Sequence, residues 1–267
     1  MNFFSVFIIV VGILMSVAWY LGDTPQFFER TILESNTLFS DEEESEHTYK
    51  VSPHVSVFLA NINGPITFIG HEKNEIKILT TKKGNKNHFK NVSSEIHVDD
   101  EFVSIKTLYS KRYNHTAVSV VYQVFVPHNA LLKLISNING SITIDHVHNH
   151  IHTKNVNGLT TINGSQNSVA AETVNGTIHI SVDALKKDQT ISLSSTNGTI
   201  ECFIPETLAA SIDAKALVGT VVSDFKFSHY EKKLTGIHAT GTRGNNEGGT
   251  ITINVINGRI HLHKSLS

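Results

Sequence analysis

The chain has 267 residues, 40% of them apolar, with 22 basic residues against 24 acidic ones. That balance speaks against a nucleic-acid partner, because phosphate contacts need a dense Lys/Arg face, and the apolar share argues against an intrinsically disordered polymer. The single cysteine, Cys202, cannot form an intramolecular disulfide, so redox compartment is not legible from bridges.

In chain order, the first 22 residues carry no charged side chain, and Phe3 to Leu21 reads FFSVFIIVVGILMSVAWYL. Nineteen residues of helix rise roughly 28 Å, close to the ~30 Å hydrocarbon thickness of a bilayer. Trp19 and Tyr20 end the run where an interfacial aromatic belt belongs. The expectation is a transmembrane anchor over 1–22. A cleaved signal peptide is the alternative, since Ser16-Val17-Ala18 supplies small residues for cleavage although no Lys or Arg precedes the run. Either way the remainder lies outside the cytoplasm, tethered through 3–21 or secreted. Residues 23–50 include the acidic run DEEESE at Asp41–Glu46 and show no sustained period, so they read as a solvated stalk. Phe27, Phe28, Ile32 and Leu33 could form a short interfacial helix within it.

Residues 51–267 read as one β domain: 51–135 less regular, 136–204 regular, and 205–267 the C-terminal rungs and cap. Composition rich in Ile, Val, Thr, Asn and Gly, with five prolines, favours strands and tight turns. In 51–135 strands are expected at Val55–Leu59, Glu75–Leu79, Phe102–Leu108 and Val118–Val126, with a loop at KKGNKNHFKN. A second, flexible loop is expected at Thr240–Gly249, where TGTRGNNEGG is rich in glycine.

Asn-Gly occurs seven times, ending at Gly64, Gly140, Gly158, Gly164, Gly176, Gly198 and Gly258. Six share a context: NINGPITFIG, NINGSITIDHV, NVNGLTTING, TVNGTIHISV, STNGTIECFI and VINGRIHLH. Gly140, Gly158 and Gly176 are spaced by 18 residues; Gly198 follows after 22 and Gly219 after 21. Aligned on the glycine, apolar residues hold the columns two and four after it: Ile66, Ile142, Thr160, Ile178, Ile200 and Ile260, then Phe68, Ile144, Ile162, Ile180, Cys202 and Leu262. Between them stand Thr67, Thr143, Thr161, His179, Glu201 and His261. Alternation of this kind gives a strand with one apolar and one polar face.

Asn-Gly is also a two-residue hairpin signal, which would give an antiparallel meander. A spacing of 18–22 residues fits one rung of a β-helix better, and it would stack Ile over Ile and Asn over Asn. The expected fold is therefore all-β, a single-stranded right-handed or irregular β-solenoid, with a mixed stacked-sheet meander as the alternative. The sequons at Asn139, Asn163, Asn175 and Asn197 then read as ladder asparagines, and Cys202 as an apolar filler.

Three features together resemble the bacterial "putative adhesin" β-strand repeat family of unknown function. They are YQVFVPHNALLKLISNINGSITI, the serial N-x-N-G-x-I units and the final GTITINVINGRIHL. The resemblance covers residues 52–263 and implies an exported or membrane-tethered β-solenoid-like module without a catalytic motif.

Histidine is used 16 times, and DHVHNHIHTK holds His146, His148, His150 and His152 at every second position. On a regular strand these share one face with imidazoles ~7 Å apart. A metal needs nitrogens about 2 Å from one centre, so convergence requires a neighbouring rung or a turn. His179 is the candidate from the next rung. The metal-ligating candidates are thus His146, His148, His150, His152 and His179, against a plain solvated face. The outward acids Glu201, Asp183 and Asp213 stand apart in sequence, and no phosphate loop, nucleophile elbow or zinc-protease helix is present. The expected function is a non-catalytic, membrane-tethered interaction module without cofactor, meeting a protein or glycan partner. A divalent-metal module and a polymerising scaffold are the alternatives.

Overall fold

The computed structural model describes residues 41–110, 117–244 and 248–265, so the apolar run 3–21 and the helix read at 27–33 lie outside the described residues. The chain is all-β. Its first strands are β1 (Asp41–Lys50), β2 (Ser56–Asn63), β3 (Ile66–His71), β4 (Glu75–Gly84), β5 (Val92–Val98), β6 (Phe102–Tyr109), β7 (Val118–Pro127), β8 (Leu131–Asn139) and β9 (Ile142–Asp145). Then come β10 (Ile151–Ser165), β11 (Val169–Val182), β12 (Thr190–Pro205), β13 (Ala210–Ser223), β14 (His229–Lys232), β15 (Ile237–Arg243) and β16 (Gly249–Ser265). Among the described residues no helix is long and apolar enough to cross a membrane.

The Asn-Gly units pair in parallel, like over like. Gly158 lies beside Gly176, Gly176 beside Gly198, Gly198 beside Gly258 and Gly258 beside Gly219. The same ladder continues through β8–β9 and β2–β3, whose asparagines Asn139 and Asn63 are also register partners. A straight strand of fifteen residues spans roughly 50 Å. Only three residues separate Ser165 from Val169, which pairs with Ile151 at the start of β10, and four steps of chain reach at most ~14 Å. Each long strand therefore doubles back on itself at its Asn-Gly, which makes two ladders joined along a line of bends.

The inner faces of the two ladders close on one core. From the segment before the bend come Leu59, Leu132, Ile151, Leu193 and Ile253; from the segment after it come Phe68, Ile144, Ile162, Ile180 and Cys202, all essentially inaccessible. The columns two and four after the glycine are thus interior, as the alternation predicts. At the bend, backbones come so close that a Cβ on Gly158 would lie 2.3 Å from the carbonyl oxygen of Gly140, and Gly158 has φ +136°.

Two rows of asparagine hold the bends together. Inside, Asn137 Nδ2 donates to the Gly64 carbonyl and Asn155 Nδ2 to the Gly140 carbonyl, each at 2.9 Å. Outside, side-chain amides run rung to rung. Asn157 donates to Asn139, Asn175 to Asn157, Asn197 to Asn175 and Asn257 to Asn197, at 2.9–3.1 Å. Three of the four repeat sequons, Asn139, Asn175 and Asn197, sit in this ladder, and Asn163 donates instead to Asp145.

The structure departs from the sequence reading in four places. Residues 41–50, read as the end of a stalk, form β1, antiparallel to β4. Its Glu42 and Glu43 meet Lys83 and Lys82 at 2.7 Å and its Glu46 meets Lys77 at 2.8 Å; a charge run taken as solvated spacer is complementary to a basic strand far along the chain. The order of rungs does not follow the chain either, because β16 inserts between β12 and β13. Equivalent Asn-Gly units can pair with one another at any sequence separation, so spacing alone does not choose the neighbour. The C-terminal segment is consequently interior to the stack, and the end is covered by β15 and β14, which run antiparallel. Finally, Thr240–Arg243, read as loop, completes β15, while Lys86–Asn91 forms a short 3-10 turn. The four strands expected in 51–135 are present as β2, β4, β6 and β7.

Two outcomes follow. Gly158→Ala combines a strained φ with a backbone clash and costs on the order of 3 kcal/mol, read as a Tm lower by roughly 10 °C. Cys202 is fully buried and its thiol is pushed up to about 12 by burial, so iodoacetamide leaves it unlabelled at pH 8 until denaturant is added.

Candidate functional site

The outer face of the second ladder changes character along the stack. Three residues after the glycine it runs Thr67, Thr143, Thr161, His179, Glu201, His261 and Val222; five after, it runs Ile69, Asp145, Asn163, Ser181, Phe203, His263 and Asp224. Parallel register puts His179, Glu201 and His261 on neighbouring strands at one height, and Phe203 beside His263. Alternation aims all of them outward, with Cys202 and Leu262 turned to the core.

Here chemistry-bearing groups converge. Glu201, His261 and His263 each offer one ligand atom, all within 4.8 Å of one another, and all three residues are half-buried. His179 Nδ1 stands 3.2 Å from Glu201 Oε2. The Phe203 ring lies between the rings of His179 and His263, with centroids 4.6 and 4.7 Å away. Asp224 Oδ2 is 3.8 Å from His263 Nδ1.

The histidines singled out from the sequence are distributed differently. β9 ends at Asp145 and β10 begins at Ile151, so His146, His148 and His150 occupy a corner between strands. His146 has φ 57°, and its carbonyl accepts a hydrogen bond from His128 Nδ1 at 2.6 Å. His148 stacks on His128 with centroids 4.8 Å apart, and His128 Nε2 reaches Glu72 at 3.4 Å. The His150 carbonyl accepts from the Leu132 amide. His152 lies before the bend on β10, 3.3 Å from Glu172 Oε1, which also meets Lys154 at 3.5 Å. His179 lies beyond the bend on β11. The five are therefore not drawn to one point, and of them His179 meets the convergent group, through Glu201. His261 and His263 were visible in sequence as an His-x-His in GRIHLH, and Glu201 as a member of the same column. What the sequence lacked was that β16 lies beside β12.

Electrostatics single out the corner. Burial lowers the His148 imidazole below its ordinary value, and His128 and His146 add to the effect. Burial lowers His150 too, helped by His152 and Lys133. It also lowers His71, where Glu75 opposes the shift and Lys73 and His128 reinforce it. For Glu172, burial acts to raise the carboxyl, yet His152 and Lys154 outweigh it and the net shift is downward.

No family profile and no curated protein matches the chain. Solved structures do. A structure from Clostridium sporogenes described as a "putative cell adhesion protein" has a TM-score of 0.52 at 12% identity, covering 84% of this chain and 100% of that one. A Bacteroides fragilis structure described as a "putative adhesin" has a TM-score of 0.31 at 11% identity, covering 84% of this chain and 97% of that one. A Parabacteroides distasonis structure described as a "putative lipid binding protein" has a TM-score of 0.31 at 10% identity, with the same coverages. The first of these shares the fold.

The corner makes stability depend on pH in a definite direction. His71, His148 and His150 have folded pKa values below the unfolded 6.5, so the unfolded chain takes up their protons first. Stability is full above about pH 6.5 and declines as pH falls below it toward the folded values. Melting at pH 8, 6.5 and 5 reads this as a falling Tm, and His148→Asn flattens the drop. Glu172 adds a second decline, as pH passes below the ordinary carboxylate range.

Proposed function

We propose that this chain is a membrane-tethered, exported β-solenoid that presents its outer faces to a protein or glycan partner of the cell envelope and performs no catalysis. The observation that carries this reading is the continuous parallel ladder, in which rung follows rung in register and the bent strands enclose a single core. Such stacks offer long, regular faces suited to contact over extended partners. Supporting it are the apolar run at 3–21, of a length that spans a bilayer, and a shared fold with a protein named for cell adhesion. Of the outward acids, Asp213 pairs with His238 at 2.9 Å and Glu201 with His179 at 3.2 Å, histidine partners rather than the paired carboxylates of acid–base work on a glycan.

The polymerising-scaffold reading fits less well. End-to-end growth needs bare parallel edges, yet β1 and β5 run antiparallel at one end and β15 and β14 at the other. β1 carries Asp41–Glu46, and a charged edge strand discourages further pairing.

The test is topological and hydrodynamic. In spheroplasts expressing the full chain, protease added outside degrades the β domain, which otherwise sediments with membranes; removing residues 1–22 abolishes membrane association. A domain that stays protected refutes the export reading. In detergent the full chain sediments as a single discrete species, and concentration-dependent filaments would revive the scaffold.

A further inference from the structure

We propose that Glu201, His261 and His263 form a binding site for a divalent transition-metal ion of the zinc class, clasping β12 to the returning strand β16.

The argument begins with strand geometry. Two residues at i and i+2 on one face have backbones ~7 Å apart, a span that two imidazoles can close on one ion but that supplies only two ligands. A third ligand from the adjacent strand, level with one of them, turns the line into a triangle. Glu201 is the direct register partner of His261, and the three donor atoms already lie within 4.8 Å. Tetrahedral zinc with ligands about 2.0–2.1 Å from the metal wants donors roughly 3.3 Å apart. The three side chains are only half-buried, so rotation about their own χ angles is the motion that the proposal asks for to close that gap.

The donor set decides the class of ion. Two imidazoles and one carboxylate suit zinc, copper or nickel, whereas calcium and magnesium take oxygen ligands. Cys202 is excluded as a ligand, since it sits on the opposite face of β12 with its thiol fully buried.

The surroundings match what a metal site uses to hold its ligands. Asp224 faces His263 Nδ1, the position from which a carboxylate orients a ligating imidazole and leaves Nε2 for the metal. His179 holds the Glu201 carboxylate from the far side, and Phe203 packs between His179 and His263. Three protein ligands leave the fourth position to water. Glu201 and His261 are 60 residues apart in sequence, so the ion would fasten the last strand of the chain into the middle of the stack, independently of whether the domain is exported.

The experiment uses the untagged full-length chain in detergent. Cobalt(II) titration is expected to give visible d–d absorption saturating at one ion per chain, displaced by Zn²⁺. Zn²⁺ alone is expected to raise Tm by roughly 5 °C at a hundredfold excess over Kd. His261→Ala and His263→Ala abolish the absorption, and Asp224→Asn weakens affinity about 10-fold, with circular dichroism confirming the fold of each variant. Replacing His146, His148, His150 and His152 together by Ala leaves the signal in place. Absence of saturable binding by the natural chain overturns the proposal. So does binding that survives in a folded His261→Ala/His263→Ala variant, or that disappears with the other four histidines.

Discussion

The stack depends on the approach of one glycine backbone to the next. At each bend the chain passes so close to its neighbour that a Cβ on Gly176 would sit 2.0 Å from the Gly158 carbonyl oxygen. Only glycine allows that distance, and at Gly64, Gly140 and Gly158 the backbone also turns through positive φ. The bend lets a fifteen-residue strand return on itself, so that two ladders share a core. Without it, the inward columns before and after the glycine would lie on one long flat sheet with nothing to cover them.

The asparagines around the bend solve a second problem, which the first creates. A sharp corner leaves carbonyls inside that cannot join either ladder, and a buried unpaired carbonyl is costly. Asn61, Asn137 and Asn155 are wholly buried and point their amides at those oxygens. Asn61 is the best satisfied, since its Oδ1 also accepts from Thr107, which in turn bonds the Tyr122 hydroxyl. Farther along, the same column becomes Thr173, Ser195, Val255 and Ala216. The polar solution is thus confined to one end of the stack, and the other end fills the column with small side chains.

This division explains what could be read from sequence. The interior columns were legible because burial constrains each residue type at every repeat: Ile66, Ile142, Ile178, Ile200 and Ile260 fall where alternation places them. The outer asparagine ladder was legible for a related reason, since identical amides at one height have each other as nearest partners. Rung order was not, because β16 satisfies the same column rules between β12 and β13 as it would at the end. Nor was β1 legible as a strand: its pattern is set by the lysines of β4 rather than by an apolar face, and eight of its ten residues are exposed, which leaves no inward alternation for periodicity to detect. The histidine corner misled in the opposite sense, because regular spacing in sequence at His146–His150 coincides with a break between strands.

The outer face follows different rules from the core, and this locates its chemistry. Because backbone register is settled by glycine, asparagine and isoleucine, outward positions are free to vary without disturbing the fold. On the first three rungs of the second ladder the position three after the glycine holds threonine, at Thr67, Thr143 and Thr161, a residue that suits a strand and does little else. The run of His179, Glu201, Phe203, His261 and His263 departs from that pattern on three adjacent strands at once, where β11, β12 and β16 meet. Propensity offers no reason to exchange threonine for histidine and glutamate there, and core packing offers none either, since these side chains face away from the core and touch one another. His179, Glu201 and His261 place nitrogen and oxygen atoms at one height, with His263 two residues along the same strand, on a rigid surface of the kind that a ligand site on a repeat scaffold requires.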